Sequence, residues 1–192
     1  MSAIPHESPS DVQEKLLRAT EHLIYGGGIH ATGMDQIVKT SGVARKSIYK
    51  HYGTKEALVA AALQARDERW MQWFIGATTT APTPRARLMS IFDALRAWFA
   101  SEGFRGCAFI NAAGEVGDAD SPIRQVARLH KARLLAHVTL LARDAGLAQA
   151  EESARQLLVL IDGAIAVATV TGDPSITDSA ERAAAALLAA EA

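Results

Sequence analysis

Ile37-Val38-Lys39-Thr40-Ser41-Gly42-Val43-Ala44-Arg45-Lys46-Ser47-Ile48-Tyr49-Lys50-His51-Tyr52 is the stretch from which the fold is read. Ile37, Val38, Gly42, Val43 and Ile48 give the pattern of two short helices packed across a turn. Glycine at 42 permits the sharp corner, and Val43 and Ile48 bury the second helix against the first. The other side of that second helix carries Arg45, Lys46, Ser47, Tyr49, Lys50 and His51. Donors at the start of a helix can reach base edges in the major groove, while tyrosine and lysine tie down flanking phosphates. The competing reading of any charged helix face is simple solvation. Two features weigh against it: these cations have no acid four residues on to pair with, and Tyr49 shares the polar side.

The charge along the chain is uneven. Residues 39–55 hold Lys39, Arg45, Lys46, Lys50 and Lys55 and no acid, although the 192-residue chain has a net charge of −1. A local cationic patch on a nearly neutral protein points to a local anionic partner. Hydrophobic residues make up 49%, enough for a sizeable core. The lone cysteine, Cys107, gives no disulfide framework and fits a reducing cytosol. Pro5, His6, Glu7 and Pro9 interrupt any signal-peptide core. The most apolar run, Leu157 to Val170, is shorter than the ~20 residues of a membrane span and contains Asp162. A cytoplasmic protein with no membrane partner is expected.

Helical apolar spacing runs nearly throughout, which predicts an all-α fold of about nine helices. Ser10 and Gln13 read as a capping box opening the first helix, with Val12, Leu16, Ala19 and Leu23 as its buried stripe. Gly26-Gly27-Gly28 ends it. Thr32 and Asp35 read as a weaker box opening the second helix. The third runs from about Ala44 to Tyr52, and Thr54 caps a long fourth. Glycine and proline breakers delimit five more, at about 84–102, 106–116, 121–146, 149–171 and 174–191. The expected domains are 10–53, three helices with the helix-turn-helix, and 54–192, a larger helical bundle.

At this point a resemblance becomes specific. Thr32, Met34-Asp35-Gln36-Ile37, Ser41 through Tyr52, and Thr54-Lys55-Glu56-Ala57-Leu58 closely resemble the DNA-binding signature of the TetR (tetracycline-repressor) family of transcriptional regulators. The resemblance implies a dimeric repressor that holds operator DNA. Arg45 and Lys46 would read bases or the groove. Ser47, Tyr49 and Lys55 would bind phosphate, Lys55 with help from its helix N-terminus. His51 would add a backbone or base contact, and Thr32 would cap the second helix and touch phosphate. Two departures blur this map: Ala44 replaces the commoner serine or threonine cap, and Tyr52 stands where phenylalanine is usual.

All three Trp and all five Phe fall between residues 70 and 109. Ordinary core packing is one reading. The other is an aromatic-walled cavity for an apolar or aromatic effector, which the resemblance favours, with Trp70, Trp73, Phe74, Phe92, Phe109, Asn111 and His130 as lining candidates. His130 and His137, two turns apart, lie roughly 10.5 Å apart along the helix axis, too far to share a metal ion, and neither metal nor cofactor is expected. Cys107 is either a small buried hydrophobe or, beside Arg105 at a helix start, a redox or electrophile switch. The penultimate helix is apolar nearly all round, so a second subunit is the expected cover for its outer side. Leu157, Ile161, Ala164, Ile165, Ala168 and, on the last helix, Leu187 are the expected interface. An enzyme and a helical binding protein without DNA function are the rival classes. No Gly-x-Ser-x-Gly elbow, phosphate loop or spaced acid pair supports the first, and the cationic patch opposes the second.

Overall fold

A computed structural model describes residues 9–189. The Ser10 side chain, and with it the first capping box, lies outside the described residues. Within them the chain forms nine α-helices and no strand: α1 (Pro9–Gly27), α2 (Met34–Ser41), α3 (Arg45–Tyr52), α4 (Lys55–Thr79), α5 (Pro84–Phe99), α6 (Ala108–Glu115), α7 (Pro122–Asp144), α8 (Ala150–Thr171) and α9 (Ile176–Ala189). The all-α expectation holds. Residues pack as two units: those through Asp67 with Ala108–Ala127, and Glu68–Cys107 with those from Arg128 onward. Helices α4 and α7 each contribute to both.

The first unit has a compact apolar centre. Leu16, Ile37, Val43, Ile48 and Leu58 are buried together, with Val12, Leu17, Leu23, Met34, Val38 and Tyr52 packed around them. The α2–α3 corner depends on Gly42, whose φ of 70° is a left-handed conformation that places its N–H on the Val38 carbonyl at 2.9 Å. The Ser41 hydroxyl accepts from the Val43 N–H at 3.2 Å, which tightens the same corner.

Capping follows the sequence at some helices and departs from it at α2. The Thr54 hydroxyl accepts from the Ala57 N–H at 3.0 Å and so caps α4. Thr83 does the same for Ala86 ahead of Pro84. Helix α2, however, starts after Gly33, and no side chain caps it. Thr32 instead donates its hydroxyl to the Gly28 carbonyl at 2.7 Å. The expected Thr32 cap is corrected: the chain between α1 and α2 uses that hydroxyl first.

In the second unit α8 packs on α9, and α5 packs on both. Arg96 of α5 reaches Asp178 and Glu181 of α9 at 2.9 and 2.8 Å. By length and composition α8 is apolar enough to cross a membrane. Its Asp162 nevertheless pairs with Lys131 of α7 at 2.5 Å, and its inner face fills the core of this unit. That inner face is Leu157, Ile161, Ala164, Ile165 and Ala168, the residues expected at a subunit interface. The expectation is corrected for these five, because they are buried within their own protomer. The outward stripe is Val159, Gly163, Ala166, Val167 and Val170, the last 86% exposed. Leu187 of α9 is also exposed.

The Gly42 corner gives a direct test. Gly42→Ala should destabilise the fold by about 1–2 kcal/mol, the cost of a left-handed residue bearing a Cβ, and Gly42→Asn by less. Urea unfolding of the three proteins measures both.

Candidate functional site

Helix α3 is eight residues long and its only buried side chain is Ile48, 1% exposed. With that residue fixed inward, the helical repeat turns Arg45, Lys46, Ser47, Tyr49, Lys50 and His51 outward. All six are exposed, Tyr49 at 42%. Ala44 precedes α3 without a side-chain cap, so the first N–H groups of α3 receive no local side-chain oxygen. A groove of about 620 Å³ runs beside the helix in the same unit, between Val12, Lys15 and Leu16 of α1 and Ser47, His51 and Tyr52 of α3. Lys15 is a cation near this face that sequence reasoning passed over, because α1 reads only as a packing helix. The Tyr52 hydroxyl is buried and finds no hydrogen-bond partner among the described residues.

Three expected contacts stand in a different light. Arg45 forms an ion pair with Asp35 of α2, across the corner. Nothing in the spacing signals it, since the partners are ten residues apart and on different helices. Lys55 donates from Nζ to the Ile29 carbonyl at 2.6 Å, so one of its three protons is used inside the protein. Thr32 is 2% exposed with its hydroxyl spent on Gly28. Its side chain is therefore withdrawn from the expected phosphate contacts.

Glu115, at the end of α6, is a member of this unit that sequence reasoning missed. Its carboxylate accepts the Ile29 N–H at 2.9 Å and the His30 N–H at 3.0 Å, and lies 3.3 Å from His30 Nδ1. Partial burial pushes its pKa up, but the backbone and imidazole contacts of His30 and the Ile29 N–H outweigh that. The group sits below its ordinary value. Nothing local marks it, because its partners lie more than eighty residues away.

The aromatic cluster forms in the second unit. Trp70 stacks on Phe74 with centroids 4.9 Å apart and meets Trp98 and His130 edge-on at 5.4 and 5.2 Å. Trp73 joins at 5.9 Å. The Trp70 indole N–H is buried with no hydrogen-bond partner among the described residues. Trp70, Trp73, Phe74 and His130 thus come together as expected, with Trp98 added. Phe92 is wholly buried in the same unit. Phe109 and Asn111 belong to the first unit, where Asn111 lines a cavity of about 10 Å³ with Glu21, Tyr25, Arg66 and Glu115. The seven candidates therefore do not belong to one unit. His137 is buried and shares a 2.7 Å hydrogen bond with Thr78. Cys107 is 3% exposed, and burial of this kind favours the small-hydrophobe reading over a reactive thiol.

An exposed cationic and tyrosine-bearing helix set across a glycine corner, joined to a helical bundle, defines a helix-turn-helix transcriptional regulator. Comparison with known proteins agrees at two levels. Residues 16–62 match the bacterial regulatory proteins of the tetR family, and residues 84–184 match the tetracyclin repressor-like C-terminal domain. The chain belongs to the TetR family. A TetR-family regulator from Streptomyces coelicolor superposes with a TM-score of 0.85 at 28% identity, over 95% of this chain and 96% of that one. The HTH-type transcriptional regulator LmrA of Bacillus subtilis is 28% identical over 120 residues, 62% of this chain and 64% of its own length. The HTH-type transcriptional activator FasR of Mycolicibacterium smegmatis is 31% identical over 80 residues, 42% of this chain and 36% of its own length. The chain thus spans less than two thirds of either of these two relatives.

The buried histidine bonded to Thr78 gives a pH test. Burial holds His137 below its ordinary pKa, so the unfolded chain binds this proton more readily than the folded one. Stability should be unaffected by His137 well above pH ~6.5 and should fall as the pH drops below it. His137→Gln, which keeps a partner for Thr78, should flatten that fall between pH 7.5 and 5.5 in urea titrations.

Proposed function

We propose that the chain is a ligand-responsive repressor that binds a partly palindromic operator as a cytoplasmic homodimer. The observation that carries the reading is the outward face of α3. Six polar or aromatic side chains on one short helix, none needed for packing, match what a recognition helix presents to a major groove. Arg45 and Lys46 read bases; Ser47, Tyr49 and Lys50 fix phosphates; His51 adds a contact at the end of the helix. Lys55 binds phosphate with the protons left to it. The functional division remains a DNA-binding domain at 10–53 and a sensing and dimerising domain at 54–192, with α6 packing in the unit of the first. That FasR is called an activator makes the sign of regulation a matter for experiment.

Dimerisation uses the outward stripe of α8 with Leu187 of α9. An apolar stripe of valine with Gly163 and Ala166 at its centre lets two such helices approach closely, and two-fold pairing of one surface with itself is the usual way to close a homodimer. The effector is an apolar or aromatic molecule bound at the Trp70 cluster, with an acceptor atom that meets the Trp70 N–H. One helix, α4, carries both Lys55 and Trp70. A ligand that shifts Trp70 therefore acts on the helix that also carries Lys55. A coupling of about 1–3 kcal/mol changes operator affinity about 5–150-fold.

Selection from a random DNA pool tests the central claim, and a wild-type protein with no preference among sequences refutes it. On the selected operator, Arg45→Ala should relax specificity at its base pair by about 1–3 kcal/mol, whereas Lys50→Ala should weaken all sequences alike and lower the salt slope by about one.

Assembly has its own test. Val167→Glu should yield a folded monomer in sedimentation, because it charges the outward stripe. Ile161→Arg should instead unfold the protomer, since it buries a charge in its own core. A wild type that sediments as a monomer at micromolar concentration refutes the interface.

A further inference from the structure

The turn between α1 and α2 is held on every side. The Gly28 N–H bonds the Ile24 carbonyl at 2.9 Å. Its carbonyl accepts the Thr32 hydroxyl, and the Ile29 carbonyl accepts the Lys55 ammonium. The next two N–H groups, of Ile29 and His30, both go to the one carboxylate of Glu115. Backbone N–H groups in a turn between two helices are usually met locally or by water. Here two of them are met by a side chain more than eighty residues distant.

Three further observations say that this contact is built. Gly28 has a φ of +90°, and a Cβ there would lie 3.1 and 3.2 Å from the two Glu115 oxygens. The backbone angle calls for glycine, and a Cβ there would also press the carboxylate back by a few tenths of an ångström. Glu115 stands in the last turn of α6, where the helix dipole disfavours an acid, so it is not placed for the benefit of α6. The last turn of that helix is steadied instead by Arg124, which donates to the Ala113 carbonyl at 2.8 Å.

We propose that Glu115 is a positioning residue for DNA binding: its carboxylate latches the turn at residues 28–30 and, through Thr32 and Lys55, fixes the starts of α2 and α4. The proposal rests on the DNA-binding reading above. Glu115 touches no DNA. It acts on Thr32, which leads into α2 beneath the recognition helix, and on Lys55, which begins α4. Release of the latch frees the two helix starts to move apart, and α3 loses its fixed presentation.

The sign of the effect separates a latch from ordinary electrostatics. Removing a negative charge from a protein that binds DNA strengthens binding if charge alone acts. The latch requires the reverse. Glu115→Gln keeps the size of the side chain but turns an amide N–H₂ toward one of the two backbone donors. It should weaken operator binding about tenfold, the size expected for a charge-assisted hydrogen bond, with the salt slope unchanged because the bound complex still makes the same phosphate contacts and only the ordering of the turn in the free protein is lost. Gly28→Ala should weaken binding through the same contact, so the Gly28→Ala/Glu115→Gln double variant should lose less than the product of the two single losses. Thermal unfolding checks that each variant is folded at the assay temperature. Amide hydrogen exchange on the wild-type protein tests the latch without any variant: the Ile29 and His30 N–H groups should be protected. A folded Glu115→Gln that binds the operator as tightly as wild type, or more tightly, overturns the proposal, as does free exchange of those two amides. Absence of any operator preference in wild type overturns the DNA-binding reading instead, and is distinguished because it precedes every variant.

Discussion

Helix α3 is anchored chiefly by one side chain. Ile48 is its only buried residue, and its contacts with Leu16, Ile37, Val43 and Leu58 decide which way all the others face. An eight-residue helix has little stability of its own, so tertiary packing through Ile48 is what makes it a helix at all. Tyr52 at the C-terminal end packs against the same cluster, so the N-terminal turn and the outward side are what remain available. That arrangement combines a rigid orientation with a surface almost wholly free for recognition.

The first unit was legible in the sequence wherever packing and turn chemistry are local. Gly42, Val43 and Ile48 fall within seven residues, and their pattern permits few arrangements. The same holds for the glycine and proline breakers, which placed the helix limits within a few residues. The Arg45–Asp35 pair, the Lys55 bond to Ile29 and the Glu115 contact were not legible. Each depends on where separate helices lie in space, and none leaves a spacing signal along the chain. Thr32 misled for a related reason: α2 starts one residue later than its spacing suggested, after Gly33, and the hydroxyl went to the Gly28 carbonyl.

In the second unit the sequence singled out α8 and took its inner side for the outer one. Helix α8 is apolar on all faces, so no polar residue marks its phase. Leu157 and Ile161 look no different from Val159 and Val167 until the neighbours are in place. The inner set packs on α5 and α9, while the outer set has a β-branched, small-residue character suited to another helix. The aromatic cluster shows the opposite case. Trp70, Trp73 and Phe74 share one helix at spacings of three and four, so the sequence alone brings them to one side, and Trp98 and His130 then close around them.

The Arg45–Asp35 pair bears on how the regulator would search for its site. In the free protein the arginine already has an anionic neighbour, held close by the α2–α3 corner. On the proposed reading, in which Arg45 meets DNA, the carboxylate would act as a weak internal decoy for the guanidinium, since both side chains are exposed. A phosphate or a base edge must compete with it, and a poor site competes badly. When DNA does displace it, the exposed Asp35 attracts a cation from solution, partly cancelling the ion release that drives nonspecific association. A side chain restrained in this way contributes less to random adhesion along a duplex than a free arginine would. It would engage where the groove offers a better partner than the one it leaves.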